Sequence, residues 1–505
     1  MKDLVAGLDS STTATKAIAW SGDGCAVAEG RCSIPLANPA DRQYEQDPCD
    51  WWRSACAALR QLTQKLDASR IAAIAISNQR ETFVPLDAGG RAVRPAIVWL
   101  DQRCEREVEW LAARIGAERI HSITGKPADM APVAYRIAWL LRNERANFDK
   151  TAIFADVHAY LAWHLTGRFR TSRASADPLG LFDMQRNEWS AEVLCALELT
   201  PDRLPEACAP CSVIGEITSE AAEATGLAPG TLVVAGGGDG QAAGLGVNAL
   251  ASERAYLNLG TAVVGGIYSS EYLTDTAWRT MGSCSGEGCY LESSLRTGTF
   301  LVDWFMREMW GVDTSSDPGI YSRLEKEAAG SPVGSRGLLL LPYWGAVMTP
   351  YWDPRARGVI AGLTSAHTRA DVYRALLEGI ALEQALVTSL AEERAGVNVR
   401  EFVVIGGGAA SELWRRILAD VSGKTVLRSQ TVEASSLGAA VCAATGAGWF
   451  ASAREAAAAM AGAITSEMEP KPGAAARYRE LFAIYREVYP ATREIGRRLS
   501  RFAEK

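Results

Sequence analysis

A carboxylate that follows three glycines is the best candidate for proton transfer in this sequence. Asp239 stands in the run GGGDGQ (residues 236–241), where a short apolar strand ends and a helix of small residues begins. A helix N-terminus favours the ionised carboxylate, and glycines leave room for a ligand beside it. An ordinary helix N-cap is the alternative for an aspartate in this position. We predict Asp239 as a general base and Gln241 as a neighbouring substrate contact.

A polar turn near the N-terminus carries residue types that bind phosphate. The run DSSTTATK (residues 9–16) separates two apolar segments, which are predicted to be strands. Backbone N–H groups and the hydroxyls of Thr12 and Thr13 suit phosphate oxygens, and Lys16 adds positive charge. Asp9, at the end of the first strand, is a candidate Mg²⁺ ligand. The alternative is a hairpin turn that is merely rich in serine and threonine.

Two further turns repeat parts of this pattern. Gly260 and Thr261 separate the apolar segments 256–259 and 263–268. The run GGGA (residues 406–409) ends a predicted strand and precedes a helix that begins near Ser411, so Gly407, Gly408 and Ala409 would let a ligand lie against the backbone. Neither turn has the GxGxxG spacing of dinucleotide sites or the GxxxxGK[ST] spacing of Walker sites.

A second polar cluster follows the apolar segment 71–76. Gln79, Arg80 and Glu81 come directly after it, and ligands gather at the carboxyl ends of parallel strands. A planar donor beside a carboxylate acceptor suits vicinal hydroxyl groups. Trp99 and Asp101 could add an apolar wall and a further acceptor. The alternative is a surface salt bridge with a core tryptophan.

The elements that position these residues alternate as in α/β proteins. Strand, turn, strand, a helix starting after Asp50, and a buried strand at 71–76 form the first unit, and 256–268 repeats its opening hairpin. This echo predicts two related α/β halves that meet near residues 245–253. The alanine-rich segment from Ala451 onward is predicted to form closing helices.

Composition narrows the function classes. The 505 residues carry a net charge of −7, which disfavours nucleic acid and anionic lipid as partners. No export signal or membrane-length apolar run is evident, and the eleven cysteines are scattered, so we expect a cytoplasmic protein with reduced thiols. The single CxxC pair, Cys208 and Cys211, lacks the further ligands of a zinc site. With four histidines in all, a general base is expected to be a carboxylate.

Taken together, these segments resemble the FGGY family of carbohydrate kinases almost from end to end. The most specific match is GVIAGL (358–363), followed after seven residues by DVYRALLE (371–378), and PYWDPRARGVIAGL (350–363) is also similar. The resemblance implies two actin/hexokinase-like (ribonuclease H-like) domains, with ATP and a sugar in the cleft between them. It implies a sugar-binding domain at 1–248 and a nucleotide-binding domain at 249–505.

The resemblance also implies roles for individual residues. Asp239 corresponds to the catalytic base and, with Asp9, to the surroundings of Mg²⁺. Two positions differ from the usual pattern: Ser11 replaces a common glycine, and Arg136 replaces the usual lysine of the N-terminal signature, which is only partly met. The family's phosphate-binding and adenosine-binding positions correspond here to Thr12, Thr13, Lys16, Gly260, Thr261, Gly407, Gly408 and Ala409.

The residues predicted to contact the sugar mix two patterns. NQRET (78–82) and AIVW (96–99) resemble glycerol kinases, whereas GGGDGQAAGLG and GGGAASELWRRILADVSG resemble xylulokinases. Alanine at 131, where glycerol kinases have tyrosine, favours a ketopentose such as xylulose, with glycerol as the alternative. An actin- or Hsp70-like switching ATPase without a sugar substrate is the alternative of another class. The oligomeric state is left open, a homodimer included.

Overall fold

Two mixed β-sheets organise the chain, and the computed structural model describes residues 2–312, 317 and 319–503. The first sheet has the order β5-β6-β4-β1-β2-β3, in which β1, β4 and β6 run parallel and the other neighbours pair antiparallel. Its strands are β1 (Leu4–Ser10), β2 (Ala14–Ser21), β3 (Ala26–Ser33), β4 (Ile71–Asn78), β5 (Val213–Glu216) and β6 (Leu232–Gly238).

The second sheet repeats this plan. Its order is β9-β10-β8-β7-β11-β12-β13, with β7, β11 and β12 parallel and the other neighbours antiparallel. In both sheets a hairpin leads into parallel central strands, which confirms the predicted α/β fold of two related halves. The strands are β7 (Arg254–Leu259), β8 (Val263–Ser269), β9 (Arg279–Gly282), β10 (Cys289–Leu295), β11 (Glu401–Ile405), β12 (Thr425–Ser429) and β13 (Ile464–Met468).

Both faces of the first sheet are covered, which explains why β1 and β4 are buried throughout. Alternate residues of β1 face opposite ways: Leu4, Ala6 and Leu8 join the core formed with helix Pro48–Thr63, whereas Val5 joins the core formed with helix Ala434–Gly446. The first of these helices begins at Pro48 rather than after Asp50. Asp47 is its N-cap, since the side chain of Asp47 accepts a hydrogen bond from the N–H of Cys49. Pro48 follows at the first helical position, which suits proline.

Helices and short strands complete the two halves. Within the part of the chain that the structure describes, no helix is both long and apolar enough to cross a bilayer. The small sheet of the first half contains Glu45–Gln46, Phe83–Leu86, Ala96–Ile97 and Ile153–Asp156, and the other long helices are Glu105–Ile115, Val133–Asn143, Val157–Thr166, Asp239–Gly246, Ile320–Ala329, Arg369–Ala395, Glu412–Ser422 and Pro472–Ala503. The last of these and Ala453–Met460 form the predicted closing helices, but the same segment also contains β13, a strand that its alanine-rich composition did not predict.

The halves meet through backbone where helix Asp239–Gly246 packs against helix Ala434–Gly446. A Cβ atom added at Gly438 would lie 1.8 Å from the carbonyl oxygen of Ala242, and one at Gly246 would lie 2.1 Å from that of Ala434. Only glycine fits such an approach. This contact sets the position of Asp239 relative to the second half.

The first predicted phosphate turn is shorter than expected from the sequence. β1 continues through Ser10 and β2 begins at Ala14, so Asp9 and Lys16 are paired residues of the antiparallel ladder. The cross-strand hydrogen bonds extend to the edge of the turn, and only residues 11–13 remain outside the strands.

Candidate active site

Asp239 begins helix Asp239–Gly246 directly after β6. Its Oδ1 accepts a hydrogen bond of 2.8 Å from the backbone N–H of Gly240 and lies 3.1 Å from Nε of Arg80. The side chain is 41% exposed, in contrast to the buried groups around it. The position at a helix N-terminus, beside a cation and open to solvent, is that predicted for a proton acceptor.

A chain of alternating charges connects Asp239 to Glu81. Nη1 of Arg80 donates to Oε2 of Glu292 at 2.7 Å, and Oε1 of Glu292 accepts from Nε of Arg279 at 2.7 Å. Nη1 of Arg279 donates in turn to Oε1 of Glu81 at 2.7 Å. Arg80 and Glu81 belong to the first half, whereas Arg279 (β9) and Glu292 (β10) belong to the second sheet. The predicted pair is therefore brought to Asp239, but through two residues that the sequence analysis missed.

A local signal could have identified Glu292. It is the one charged residue in the strand CYLESSL (289–295), all but one of whose residues are buried. A charge in such a strand requires a partner, because unpaired burial is costly. Burial alone would raise the pKa of Glu292, but the guanidinium groups of Arg80 and Arg279 lower it to about 2. Glu292 is thus ionised at neutral pH, where it is paired with both Arg80 and Arg279.

Glu81 and Asp239 each show a further sign of a functional site. Glu81 has φ +50°, a left-handed conformation that is rare outside glycine and is found at strained sites. Desolvation raises the pKa of Asp239, and the charge of Arg80 opposes that rise. Because its carboxyl group remains partly exposed, we expect Asp239 to be ionised at neutral pH.

Asp9 lies beside this cluster on β1. Its Oδ1 accepts a hydrogen bond of 2.8 Å from Oγ of Ser77. Burial, and then the charge of Asp239, raise the pKa of Asp9 to about 7. Two carboxylates that destabilise each other's charge fit a divalent cation, which binds through one or two carboxylates plus substrate phosphates. Among the described residues no three metal-binding side chains form a complete cage, so the two aspartates would need such phosphates.

The first turn is held by two contacts that the sequence did not predict. Trp99, 40% exposed, donates from Nε1 to Oγ1 of Thr12 at 2.8 Å, so it covers the turn. Nζ of Lys16 lies 2.6 Å from each carboxylate oxygen of Glu433, at the start of helix Ala434–Gly446. Thr13 is exposed at the tip of the turn. Lys16 therefore lies on β2 beside the turn and not within it, and its ammonium group has a carboxylate partner.

Two predicted substrate residues have side chains that are already engaged elsewhere. The carboxylate of Asp101 accepts from the backbone N–H of Tyr44 at 2.7 Å and from Nη2 of Arg103 at 2.7 Å, and its side chain is 0% exposed. The buried amide of Gln79 donates to Oε1 of Gln46 at 2.9 Å. Both positions support the turn and its surroundings and leave little capacity to bind a sugar.

Gln241, two residues after Asp239, has a free acceptor. Its Nε2 donates to the carbonyl of Ala174 at 2.7 Å, whereas Oε1 is buried and, within the described chain, has no hydrogen-bond partner. Near it lies a buried pair, Lys126 Nζ to Asp177 Oδ1 at 3.3 Å. An unsatisfied buried oxygen costs free energy, which fits a group that awaits a ligand's hydroxyl.

The second predicted turn follows β7. The carbonyls of Gly260 and Thr261 accept from the N–H groups of Thr299 (2.9 Å) and Gly298 (2.8 Å), so the turn packs on the start of helix Thr299–Trp304. Thr261 itself is exposed. The segment at 298–299 is a neighbour that the sequence analysis did not single out.

The third turn has one open face. A Cβ atom at Gly407 would meet no atom of the described residues within 4 Å, whereas one at Gly408 would lie 2.5 Å from Cζ3 of Trp414 and 2.9 Å from the carbonyl of Leu259. Ala409 is buried in the core of the second half. Of the three predicted nucleotide residues, Gly407 therefore presents open backbone, and the other two pack the turn against β7.

Comparison with known proteins identifies the class to which this fold and site belong. Models of the N-terminal and C-terminal domains of the FGGY family of carbohydrate kinases match residues 4–246 and 255–447. The protein is thus a phosphotransferase with an alcohol group as acceptor. The chain belongs to the FGGY family of carbohydrate kinases, whose members use ATP.

Relatives with different substrates are similarly close. The chain is 28% identical over 502 residues to xylulose kinase of Bacillus subtilis (strain 168), with 99% of each protein covered. It is 32% identical over 469 residues to glycerol kinase of Saccharolobus islandicus (strain M.14.25 / Kamchatka #1), with 90% of each covered. The crystal structure of gluconate kinase from Lactobacillus acidophilus has a TM-score of 0.90 at 26% identity, covering 97% of this chain and 98% of that one. Family membership fixes the reaction class and leaves the acceptor sugar to be argued from the site.

Proposed function

We propose that the protein transfers the γ-phosphate of ATP to a hydroxyl group of a small neutral sugar or polyol, with Asp239 as general base. A ketopentose such as xylulose is the favoured acceptor and glycerol the alternative. The observation that carries the proposal is the partly exposed carboxylate of Asp239, held at 3.1 Å from Arg80 at a helix N-terminus. Membership of the kinase family favours this reaction over a switching ATPase.

Charge balance supports a neutral acceptor. Among the described residues, three buried cations of the site have carboxylate partners: Arg80 with Glu292, Arg279 with both Glu292 and Glu81, and Lys126 with Asp177. A fourth buried cation, Arg136, donates to the backbone carbonyls of Val98 and Ala131. An acid such as gluconate would bring a further negative charge to a site whose cations are already engaged, and an uncompensated charge is costly there. Hydroxyl groups avoid this cost, because they exchange hydrogen bonds with water for hydrogen bonds with Glu81 and Gln241.

The proposed reaction requires little covalent participation by the protein. Asp239 accepts the proton of the acceptor hydroxyl as that oxygen attacks the γ-phosphorus in line with the departing ADP oxygen. Arg80 holds the Asp239 carboxylate in place. Lys16 and the N–H groups of the first turn neutralise the phosphate oxygens. Trp99 covers the turn and excludes water from the transfer.

Asp9 and Asp239 are the residues proposed to hold Mg²⁺ together with the phosphates of ATP. When bound, the ion would neutralise phosphate charge during the transfer. We further propose residues 1–248 as the sugar-binding domain and 249–505 as the nucleotide-binding domain. The proposed sugar-binding domain must be extended beyond residue 248, because Arg279 and Glu292 bring part of the second sheet to the sugar site.

Coupled ADP release tests the proposal. Purified protein with Mg-ATP would be assayed with D-xylulose, L-xylulose, D-ribulose, L-ribulose, erythritol, glycerol and D-gluconate. The highest kcat/KM for one ketopentose would support the favoured acceptor, and the highest for glycerol would support the alternative. A preference for D-gluconate would contradict the charge-balance argument. Turnover that no compound raises above background would contradict the proposed substrate class.

A further inference from the structure

An edge strand of the second sheet is bound into the sugar site of the first half. The N–H of Thr280 in β9 donates to the carbonyl of Gly125 at 2.8 Å, and the N–H of Gly282 donates to Asp177 Oδ2. The strand thus brings the side chain of Arg279 to Glu81, 198 residues earlier in the chain. Arg279 and Glu81 are each 7% exposed, so this pair lines the interior of the site.

The pairing changes what Glu81 can offer a substrate. The two oxygens of an unpaired carboxylate offer about four acceptor sites, so neighbouring hydroxyl groups can approach both oxygens from several directions. Here Oε1 of Glu81 already accepts from Nη1 of Arg279 at 2.7 Å. Arg279 is in turn fixed by Glu292, which accepts from its Nε and Nη2, each at 2.7 Å. Moving the guanidinium of Arg279 away from Glu81 would also break its two buried, charge-assisted contacts with Glu292, which is costly.

We propose that Arg279 is a specificity-determining residue, which favours longer neutral acceptors over the three-carbon triol by occupying one oxygen of Glu81. The inference rests on the proposed function and adds the residue that selects among its candidate substrates. Glycerol has few hydroxyl groups, so it loses a large part of its binding energy when the guanidinium of Arg279 takes an acceptor site of Glu81 and the space beside Oε1. A ketopentose has further hydroxyls and a carbonyl, which can accept from the remaining N–H donors of Arg80 and Arg279.

The test compares Arg279→Met with the wild-type protein. The measured quantity is the ratio of kcat/KM for the best five-carbon substrate to kcat/KM for glycerol. Freeing Glu81 is expected to lower this ratio by about tenfold or more, mainly through KM. Arg279→Lys, which retains the charge but loses the planar fork, should give an intermediate ratio. Equal losses for both substrates, or an unchanged ratio, would overturn the inference.

Two controls keep the result interpretable. Tyr272→Phe removes another hydrogen bond between the halves, from Tyr272 Oη to the carbonyl of Ser122 (3.0 Å), and should leave the ratio unchanged. If Arg279→Met does not fold, Arg279→Gln, a shorter side chain that can still donate a hydrogen bond to Glu292, replaces it in the comparison, since Glu292 stays paired with Arg80. A wild-type preference for glycerol would overturn the inference and leave the kinase intact. Failure of every acceptor would overturn the proposed substrate class instead.

Discussion

Lys16 and Glu433 lie 417 residues apart in the chain, yet Nζ of Lys16 is 2.6 Å from both carboxylate oxygens of Glu433. The pair joins the first phosphate turn to the helix at the interface of the two halves. Each side chain is about one-quarter exposed, so the pair contributes little to stability. Phosphate oxygens at this turn would have to compete with Glu433 for the same ammonium group.

This competition predicts opposite effects for two variants. Glu433→Gln should lower the KM for ATP about threefold, because it frees Lys16 for phosphate. Lys16→Met should raise that KM about tenfold, because it removes a charge-assisted contact. The free energy of unfolding of each variant should lie within about 1 kcal/mol of the wild-type value. A rise of KM in Glu433→Gln would show that Glu433 positions Lys16 instead of competing for it.

Asp239→Asn should abolish most phosphoryl transfer. Loss of a general base costs about 10²–10⁴ in rate, and the amide keeps the size of the carboxylate and its place beside Arg80. Calorimetric titration with ATP in the absence of Mg²⁺ should show an affinity close to that of the wild type, since the turns proposed to bind its phosphates are unchanged. A wild-type kcat in this variant would rule out Asp239 as the base.

Asp101→Asn is the matched control, with the same chemical change at a carboxylate that binds protein groups. It weakens a buried ion pair with Arg103 and should cost about 3 kcal/mol of stability, measured as a lower Tm. The KM for the acceptor sugar should remain that of the wild type. An increase in this KM at unchanged folding would restore Asp101 to the substrate contacts that the sequence suggested.

Gly407 and Gly408 should respond differently to the same added methyl group. In Gly407→Ala the methyl enters open space, so the protein should fold normally while the KM for ATP rises. In Gly408→Ala it meets Cζ3 of Trp414 at 2.5 Å, and overpacking of this kind costs about 1–3 kcal/mol. Thermal unfolding and ATP kinetics of the two proteins separate these effects. Normal ATP kinetics in Gly407→Ala would place the nucleotide elsewhere.

Glu383 predicts a pH dependence of stability. Burial raises its pKa from 4.5 to about 7, against the hydrogen bonds from Tyr485 and Tyr343. The folded protein therefore retains a proton that the unfolded chain releases above about pH 4.5, and stability falls by roughly 3 kcal/mol as pH rises from there to about 7. Above that pH the contribution is constant. Glu383→Gln should lose this slope, measured as Tm between pH 5 and 8.

Asp371, on the same helix as Glu383, provides the control of opposite sign. Burial alone would raise its pKa, but hydrogen bonds from Ser331 and Thr368 lower it to about 2. It is ionised in both the folded and the unfolded chain above pH 5. Asp371→Asn should therefore lower Tm by the same amount at every pH from 5 to 8, and a difference from the wild-type Tm that changed with pH in that range would contradict the assignment.

Sequence patterns were sufficient wherever the physical cause is local. The turns after β1 and β7 and the placement of Asp239 at a helix start follow from neighbouring residues. The partners of those residues do not: Arg80 meets Glu292 and Lys16 meets Glu433 only because the two halves of the chain are apposed. Such pairs leave no periodic signal in the chain.

For Asp101, a local structural explanation was available in the sequence beside the predicted substrate role. The carboxylate of Asp101 accepts hydrogen bonds from Nε and Nη2 of Arg103, two residues later in the chain. A carboxylate with an arginine so near in sequence is as readily a structural ion pair as a ligand contact, and the predicted substrate role ignored this neighbour. The position of Lys16 opposite Asp9 likewise could not be predicted from neighbouring residues alone, because it depends on the register of β2 against β1.

The contact of glycine with backbone at Gly246 and Gly438 has a consequence for recombination between relatives. Because each helix is shaped to the other's main chain, neither accepts a partner that carries even one methyl group at the crossing. A chimera that joins the first half of this protein to the second half of another family member must therefore have glycine at both positions of this crossing. Such a chimera would also need β9 from the parent of the first half, because Arg279 of that strand lies beside Glu81 in the proposed sugar site.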